Sequence, residues 1–528
     1  MTDYIIGLDF GSASARGVLI DAATGHEVAS HDHDYRHGTL TAALPDGSPL
    51  SNGWALQVGS DYLEAAEIIL STIGCGHNVL ALGLGFTASS PMPTTLEGIP
   101  LSTLYPDDPH AYVKLWKHGA AQPQADKINK VGGTFLDHFG GKLSGEWLLA
   151  KAAQIAEESP DSWNRTERFI EAGDWLVWQL TGFEARSLGF AAYKAQYEIE
   201  AGYPKDVVPG LESRVNEPLP IGSKAGDLSV GWQARTGILG TCSIAVAVID
   251  SHVVLPAIGA VDDGCFVGAL GTSAVSMMLT SDFRPLPKGI EGMAKDGSIR
   301  GLWCYEAGQA SFGDTLSWFV QMFPQGDNLE SNFAYFNEAA SKLTPGESRL
   351  LALDWWNGNR VPHANSALSG LLLGLTNRTE PVGIYRALIE SLCLGMRLVF
   401  NLYEKGGFSI HRVVMTSGLA QRNPLVVQVM ADVLGRDIEV PELSNPTARG
   451  AAIHGAVAAG LVPDFAVGSE KFGARSSQIY HPDKSAFAIY SELFNRYEAL
   501  SNDPAIAAAM KVLNDIEPFD TLQDTDTP

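Results

Sequence analysis

The chain has 528 residues, more than one hydrophobic core usually fills, so two large domains of roughly 250 residues each are expected. Hydrophobic residues make up 45% and charged ones 18%, ordinary globular proportions that exclude a largely disordered chain. The formal net charge of −24 speaks against nucleic acid, which needs clustered Lys and Arg, and no run reaches the roughly 18 apolar residues of a membrane span.

In chain order, "YIIGLDFGSASARGVLIDAATGHEVAS" predicts a strand, a glycine-containing turn, a second strand (17 to 21), a turn at "AATG" and a third strand. No basic region precedes its short apolar run, and Asp9 interrupts it, so it makes a poor signal peptide. Helical patterns follow at 144 to 159 and 173 to 182. Near the middle, "CFVGALGTSAVSMMLTSD" repeats strand, Gly-Thr-Ser turn and strand, with Gly11 and Gly271 in corresponding places 260 positions apart. That offset is close to half the chain, so an internal duplication into two α/β lobes with a cleft between them is the simplest account. Two independent Gly-Ser hairpins would look the same on the turn pattern alone. Further helices are predicted at 384 to 407 and 424 to 435. "HRVVMTSGLAQRN" between them reads as strand, glycine turn and helix start. The tail from about 503, ending in the acidic "DIEPFDTLQDTDTP", is expected to fray.

Five cysteines (75, 242, 265, 304, 393) lack CxxC spacing, so neither a zinc site nor a disulfide framework is expected, and a reducing cytoplasm fits. "HDHDYRH" (31 to 37) would put His31 and His33 on one face of a strand, where they could chelate a metal, but no third ligand is identifiable and a solvated strand end explains it as well. "GLGFTASSP" (83 to 91) contains GxGxxA, yet Pro91 and Pro93 follow where a dinucleotide-binding turn must open a helix. No Walker A loop occurs.

Two stretches carry stronger chemistry. "LDFGSASAR" sets Asp9 at a strand end, then Gly11, Ser12 and Ser14, then Arg16: glycine lets backbone approach a phosphate, hydroxyls and amides donate to it, and the guanidinium offsets its charge. In "AVAVIDSHVV" a β-branched run stops at Asp250, and a buried carboxylate calls for a helix cap or for chemistry. His252, two residues on, reads as support. Trp116, Lys194 and Glu306 are aromatic or charged residues within or beside apolar segments.

Together, "IGLDFGSASARGVLID", "YVKLWKH", "GEWLLAK", "IEAGDWLVWQLTG", "VIDSH", "GALGTSAV", "EAGQASFGD", "LDWWNGNRVPHAN" and "ARGAAIHGAVAAG" resemble the FGGY carbohydrate kinases, and within them the ribulokinase branch. The resemblance implies two duplicated actin-like (ribonuclease H-like) lobes, residues 1–254 and 255–528, around an ATP and sugar cleft. It implies ATP and Mg2+, and transfer of phosphate to the 5-hydroxyl of L-ribulose with Asp250 as base and Asp9 facing the metal, usually through water. Gly11, Ser12, Ser14 and Arg16 on one lobe, and Gly271, Thr272 and Ser273 on the other, resemble paired phosphate loops. Gly418 and Asn423 match an adenosine loop, and Trp116, Lys194, Glu306 and Asp250 the sugar contacts. The partners implied are a small sugar and ATP in the cytoplasm, with a homodimer left open. Ser417 replaces a common glycine, Ala13 a common hydroxyl, and "WKHG" a family "WKDH". A kinase for another ketopentose or a pentitol (D-ribulose, D-xylulose, ribitol) is therefore the alternative, and a non-kinase actin- or chaperone-like ATPase a further one.

Overall fold

The computed structural model describes residues 2–514. Strands β1 (Asp3–Phe10), β2 (Ser14–Asp21), β3 (Glu27–Asp34), β4 (Asn78–Phe86), β5 (Lys224–Asp227), β6 (Ser243–Ala245) and β7 (Val248–Ile249) form one sheet in the order β3-β2-β1-β4-β6-β5, with β7 paired to the end of β4. β8 (Cys265–Leu270), β9 (Ala274–Thr280), β10 (Gly292–Lys295), β11 (Trp303–Gln309), β12 (Arg412–Thr416), β13 (Ile438–Pro441) and β14 (Ser477–Tyr480) form a second, in the order β10-β11-β9-β8-β12-β13-β14. Each sheet starts from an antiparallel hairpin, β1–β2 or β8–β9, whose first strand pairs in parallel with a later strand, β4 or β12. The hairpin turns close alike: the Gly11 amide donates to Ser14 O and the Gly271 amide to Ser273 O, both at 3.0 Å. The two-lobed α/β architecture read from the repeated hairpin is therefore what the chain adopts.

β1 and β4 are apolar almost throughout because both faces are covered. One cover is the helix Pro446–Ala458, which returns from the second half of the chain to lie on the first sheet. Its small residues let backbone meet backbone: a Cβ at Gly83 would stand 1.7 Å from Ala451 O. Val267, Met277, Leu279 and Cys304, from one face of the second sheet, join the same core. The opposite face, with Phe266, Met278 and Tyr305, builds a second core against the long helix Pro381–Lys405. The two sheets thus share one core through this helix.

Several expected boundaries move. The helix predicted from 144 begins at Leu148, because Ser144–Trp147 is spent on a turn. That predicted from 384 begins at Pro381, with proline at a position where its missing N–H costs nothing. Residues 515–528, the acidic tail, lie outside the described residues. Pro504–Asn514 is helical rather than frayed, and it buries Met510 in the second core. All five cysteines are free thiols, and among the described residues no helix is long and apolar enough to cross a membrane.

Candidate active site

Asp9 ends its strand opposite Arg16 of β2, and Arg16 in turn faces Asp32 of β3, so the three share one face of the sheet. Asp9 Oδ2 accepts a hydrogen bond from Thr447 Oγ1 at 2.5 Å, while Oδ1 is buried with no hydrogen-bond partner among the described residues. Burial pushes the Asp9 carboxyl up to about 6, against the pull of Thr447 and Arg16. Arg16 donates from Nε and Nη2 to Asp32 at 2.6 and 2.5 Å, so its guanidinium is engaged by the edge strand.

β7 runs out at the end of β4, and the chain turns there into the short helix Asp250–Val253. The cap position falls on Ile249, so Asp250 is the first helical residue rather than the expected cap. Its carboxylate accepts the Ser251 amide at 2.7 Å. Burial, with the nearby Asp9 carboxylate adding to it, pushes Asp250 up to about 7, and Lys194 works the other way.

Glu306 sits on β11 of the second sheet. Lys194 Nζ approaches its Oε1 at 3.4 Å, and His252 Nε2 its Oε2 at 3.0 Å. A carboxylate only accepts, so His252 Nε2 carries a proton there, and Nδ1 is hydrogen-bonded with Ser298 Oγ at 2.9 Å. The Tyr193 ring meets the His252 ring edge-on at 4.6 Å. Burial works to raise the Glu306 carboxyl, but Lys194 and His252 outweigh it and hold the group well below the usual carboxylate range. Glu306 is a fixed anion, with Asp250 its neutral-leaning neighbour. His252 is fully buried against the Glu306 carboxylate.

Trp116 Nε1 donates to Ser12 Oγ at 2.8 Å, joining an expected sugar contact to an expected phosphate turn. Lys151 holds this region from beneath: its buried ammonium donates to Ser89 O at 2.6 Å, Leu115 O at 2.8 Å and Lys114 O at 3.3 Å. Burial pushes that ammonium down and the nearby Glu171 carboxyl up, and each draws the other back toward its charged form. In the variant "WKHG", Lys117 is exposed, while His118 is buried between the Ala55 amide and Gln154 Oε1. The "GLGFTASSP" segment passes from β4 to a second strand, Pro91–Thr94, with no helix between.

On the other lobe, Gly271 O and Thr272 O accept amides at the start of the helix Gly313–Met322, and Thr272 is exposed while Ser273 is part-buried. β12 passes directly into the helix Ser417–Arg422, without the expected glycine turn, and Ser417 takes a φ of +81°. Gly418 lies against the Arg422 guanidinium, and Asn423 caps the next helix through the Val426 amide while donating to Asn337 Oδ1. His31 and His33 sit on the edge strand β3, and among the described residues no cluster of three or more His, Cys, Asp or Glu is arranged for a metal.

The structure thus brings Asp9, Asp250, Lys194 and Glu306 into one electrostatic neighbourhood, and Ser12 to Trp116. It leaves Arg16 on Asp32 and Asn423 in a cap. Thr447, Ser298 and Lys151 were not singled out from the sequence, because their partners are far away along the chain and no local pattern marks them.

Residues 267–459 match the FGGY family of carbohydrate kinases, C-terminal domain. The chain is 38% identical over 94% of its length, and 94% of the relative's, to a protein named ribulokinase from Halalkalibacterium halodurans. It is 37% identical, over 94% of this chain and 93% of the relative, to a ribulokinase from Mycolicibacterium smegmatis. Among solved structures, a xylulose kinase from Rhodospirillum rubrum superposes with a TM-score of 0.81 at 18% identity, covering 96% of this chain and 99% of that one. A Plasmodium falciparum glycerol kinase with ADP gives 0.77 at 14% identity, covering 95% and 99%. With the duplicated lobes and the carboxylates at the ends of their strands, this likeness along nearly the whole chain makes it a member of the FGGY family of ATP-dependent carbohydrate kinases.

Proposed function

We propose that the chain transfers the terminal phosphoryl group of ATP to the 5-hydroxyl of a ketopentose, L-ribulose first among them. The observation that supports the reading is the neighbourhood of Asp250 and Glu306, with Lys194 at 3.4 Å and His252, from the same turn as Asp250, at 3.0 Å from the Glu306 carboxylate. Glu306 and Lys194 offer an acceptor and a donor for neighbouring hydroxyls, and Asp250 offers a carboxylate that can take a proton near neutral pH. Phosphoryl transfer asks for little else from protein side chains than positioning, charge compensation and a proton acceptor within about 3 Å of the nucleophile.

In this mechanism Asp250 orients the attacking hydroxyl and accepts its proton as the new oxygen–phosphorus bond forms and the bond from the terminal phosphorus to the bridging oxygen breaks, with ADP as the leaving group. The two glycine turns, with Ser12 and Ser14 on one side and Gly271, Thr272 and Ser273 on the other, receive the phosphates, and Gly418 and Asn423 border the adenosine. Trp116 bears on the sugar and, through Ser12, couples its seating to the first turn. A magnesium ion suits Asp9, whose Oδ1 is buried without a hydrogen-bond partner among the described residues and whose charge burial disfavours. When bound, usually through water, it would supply charge neutralisation for the phosphates.

The departure at "WKHG" weighs against the L-ribulose reading less than the sequence alone suggests, since Lys117 is exposed and His118 is buried between the Ala55 amide and Gln154. The choice of sugar is settled by an ADP-release assay over L-ribulose, D-ribulose, L- and D-xylulose and ribitol. L-ribulose should give the highest kcat/KM. Preference for another sugar would replace it with that acceptor, and ATP hydrolysis indifferent to every sugar would favour the actin- or chaperone-like ATPase.

A further inference from the structure

The strand that carries Glu306 holds a second set of charges on the same face. Side chains alternate along a strand, so Glu306 and Gly308 of β11 point the same way. Gly308 has no side chain, and the place a Cβ would take is bounded by Glu291 Oε2 at 3.1 Å and by Arg360 Cδ and Nη1, each at 3.3 Å. A carboxylate and a guanidinium therefore lie over bare backbone one side-chain position from the Glu306 anion. Both are part-buried, and neither side chain makes a hydrogen bond within the described residues. Glu146, from the first lobe, is also part-buried with its carboxylate unbonded, and it acts on Arg360 together with Glu291 and Glu306.

Arg360 is held in place by its backbone. Asn359 exchanges both backbone hydrogen bonds with Asn365 at 2.9 and 2.8 Å, the Asn359 side chain accepts the His363 amide at 2.9 Å, and Asn357 donates to Asp314 at 2.8 Å. A loop pinned on both sides of a part-buried, unbonded guanidinium is preorganised for a ligand. The charge balance names its class. Glu146, Glu291 and Glu306 face Arg360 and Lys194, three carboxyl groups to two cations, and even with burial pushing Glu291 up to about 7 the cluster has no surplus of positive charge, so a phosphate group is disfavoured. A neutral polyol suits, because each hydroxyl can donate to a carboxylate and accept from the guanidinium at once.

We propose that Arg360 and Glu291 are specificity-determining sugar contacts, holding hydroxyls of the acceptor beside those held by Lys194 and Glu306. The proposal rests on the sugar-kinase reading of this cleft. Losing a hydrogen bond to a charged group weakens binding by about 10- to 100-fold, and it does so only for sugars that present the matching hydroxyl.

The test is steady-state kinetics of the full chain and of the variants Arg360→Met, Arg360→Lys and Glu291→Gln, on the ketopentose epimers and on a deoxy analogue of the preferred sugar. In Arg360→Met and Glu291→Gln the KM for the preferred sugar should rise about 10- to 100-fold, and the kcat/KM ratio between epimers should shrink at least about fivefold. KM for ATP should stay within about twofold, and Arg360→Lys should recover part of the loss. Should Arg360→Met not fold, Glu291→Gln carries the same expectation. Epimer ratios unchanged from the parent, or a loss shared equally by all sugars and by ATP, would overturn the assignment. A parent enzyme that turns over none of the sugars would overturn the sugar-kinase reading itself, a result told apart at once from active variants with parental selectivity.

Discussion

His252 Nε2 stands 3.0 Å from Glu306 Oε2, and it reaches there from a helix that begins with Asp250, so one short turn places both the proposed base and the support of the opposing anion. The imidazole is fully buried and has Ser298 on its other nitrogen, which leaves Nε2 one orientation. Replacing it with Phe removes a donor from Glu306 and keeps the ring packing on Tyr193. We expect His252→Phe to raise the sugar KM about 10-fold or more, the scale of a hydrogen bond to a charged group, with KM for ATP unchanged. His252→Gln, which can still donate, should lie between. Equal effects on both substrates would show His252 to be merely structural.

Burial and the Asp9 carboxylate push Asp250 up to about 7 from an ordinary 3.8. A base works only when ionised, so kcat/KM for the sugar should fall about tenfold per pH unit below 7 and level off above it. The fold responds in the opposite sense. An acid whose folded pKa is raised binds its proton more tightly folded than unfolded, so stability is lost as pH rises from about 3.8 through about 7. Asp250→Asn should therefore lose kcat by about 10² to 10⁴ and yet gain about 1–2 kcal/mol at pH 8, with a smaller gain at pH 5. Thermal melts of the nucleotide-free protein at the two pH values check this. A pH-independent difference would count against the shifted carboxyl.

Asp9, Asp250, Gly11 and Gly271 were legible in the sequence because each closes an apolar strand, and a strand that ends in an acid or a glycine is a local pattern. The partners that give these residues their properties are not local. Thr447 lies 438 residues from Asp9, and Lys151 lies 62 residues from Ser89. Arg360 was quoted within a motif, but nothing in "NGNR" says that Gly308 leaves it room. The resemblance supplied Arg16 as a phosphate contact, but no local pattern marks its cross-strand neighbour Asp32, which accepts two hydrogen bonds from it. Registers between strands, not spacing along one, decide such pairings.

The approach of the helix Pro446–Ala458 to the first sheet gives a sharp packing test. A Cβ at Gly83 would stand 1.7 Å from Ala451 O, which is backbone and cannot turn aside. Gly83→Ala should cost more than about 4 kcal/mol or abolish soluble expression, because a helix and a central strand would have to separate. Gly231→Ala is the control: it lies in the helix Val230–Thr236 with nothing within 4 Å of the added methyl. There alanine should stabilise by up to about 1 kcal/mol. Urea titrations of the two variants against the parent measure the difference. Similar midpoints for both would show that the close approach yields.

Ser417 takes a φ of +81° at the junction of β12 and the helix Ser417–Arg422, in the left-handed region where a Cβ is unfavourable. Glycine at this place would need no strain, and serine carries about 1 kcal/mol of it. Ser417→Gly should relieve the strain, although glycine's freer unfolded chain takes back part of the gain. Ser417→Ala keeps the Cβ and should not stabilise. Because Gly418 follows directly and borders the proposed adenosine loop, KM for ATP in Ser417→Gly should stay level or fall. Chemical denaturation of both variants, with ATP kinetics alongside, separates backbone strain from a role for the hydroxyl. A Gly variant no more stable than the Ala variant removes the strain argument, and an ATP KM raised equally in both assigns Ser417 Oγ to the nucleotide instead.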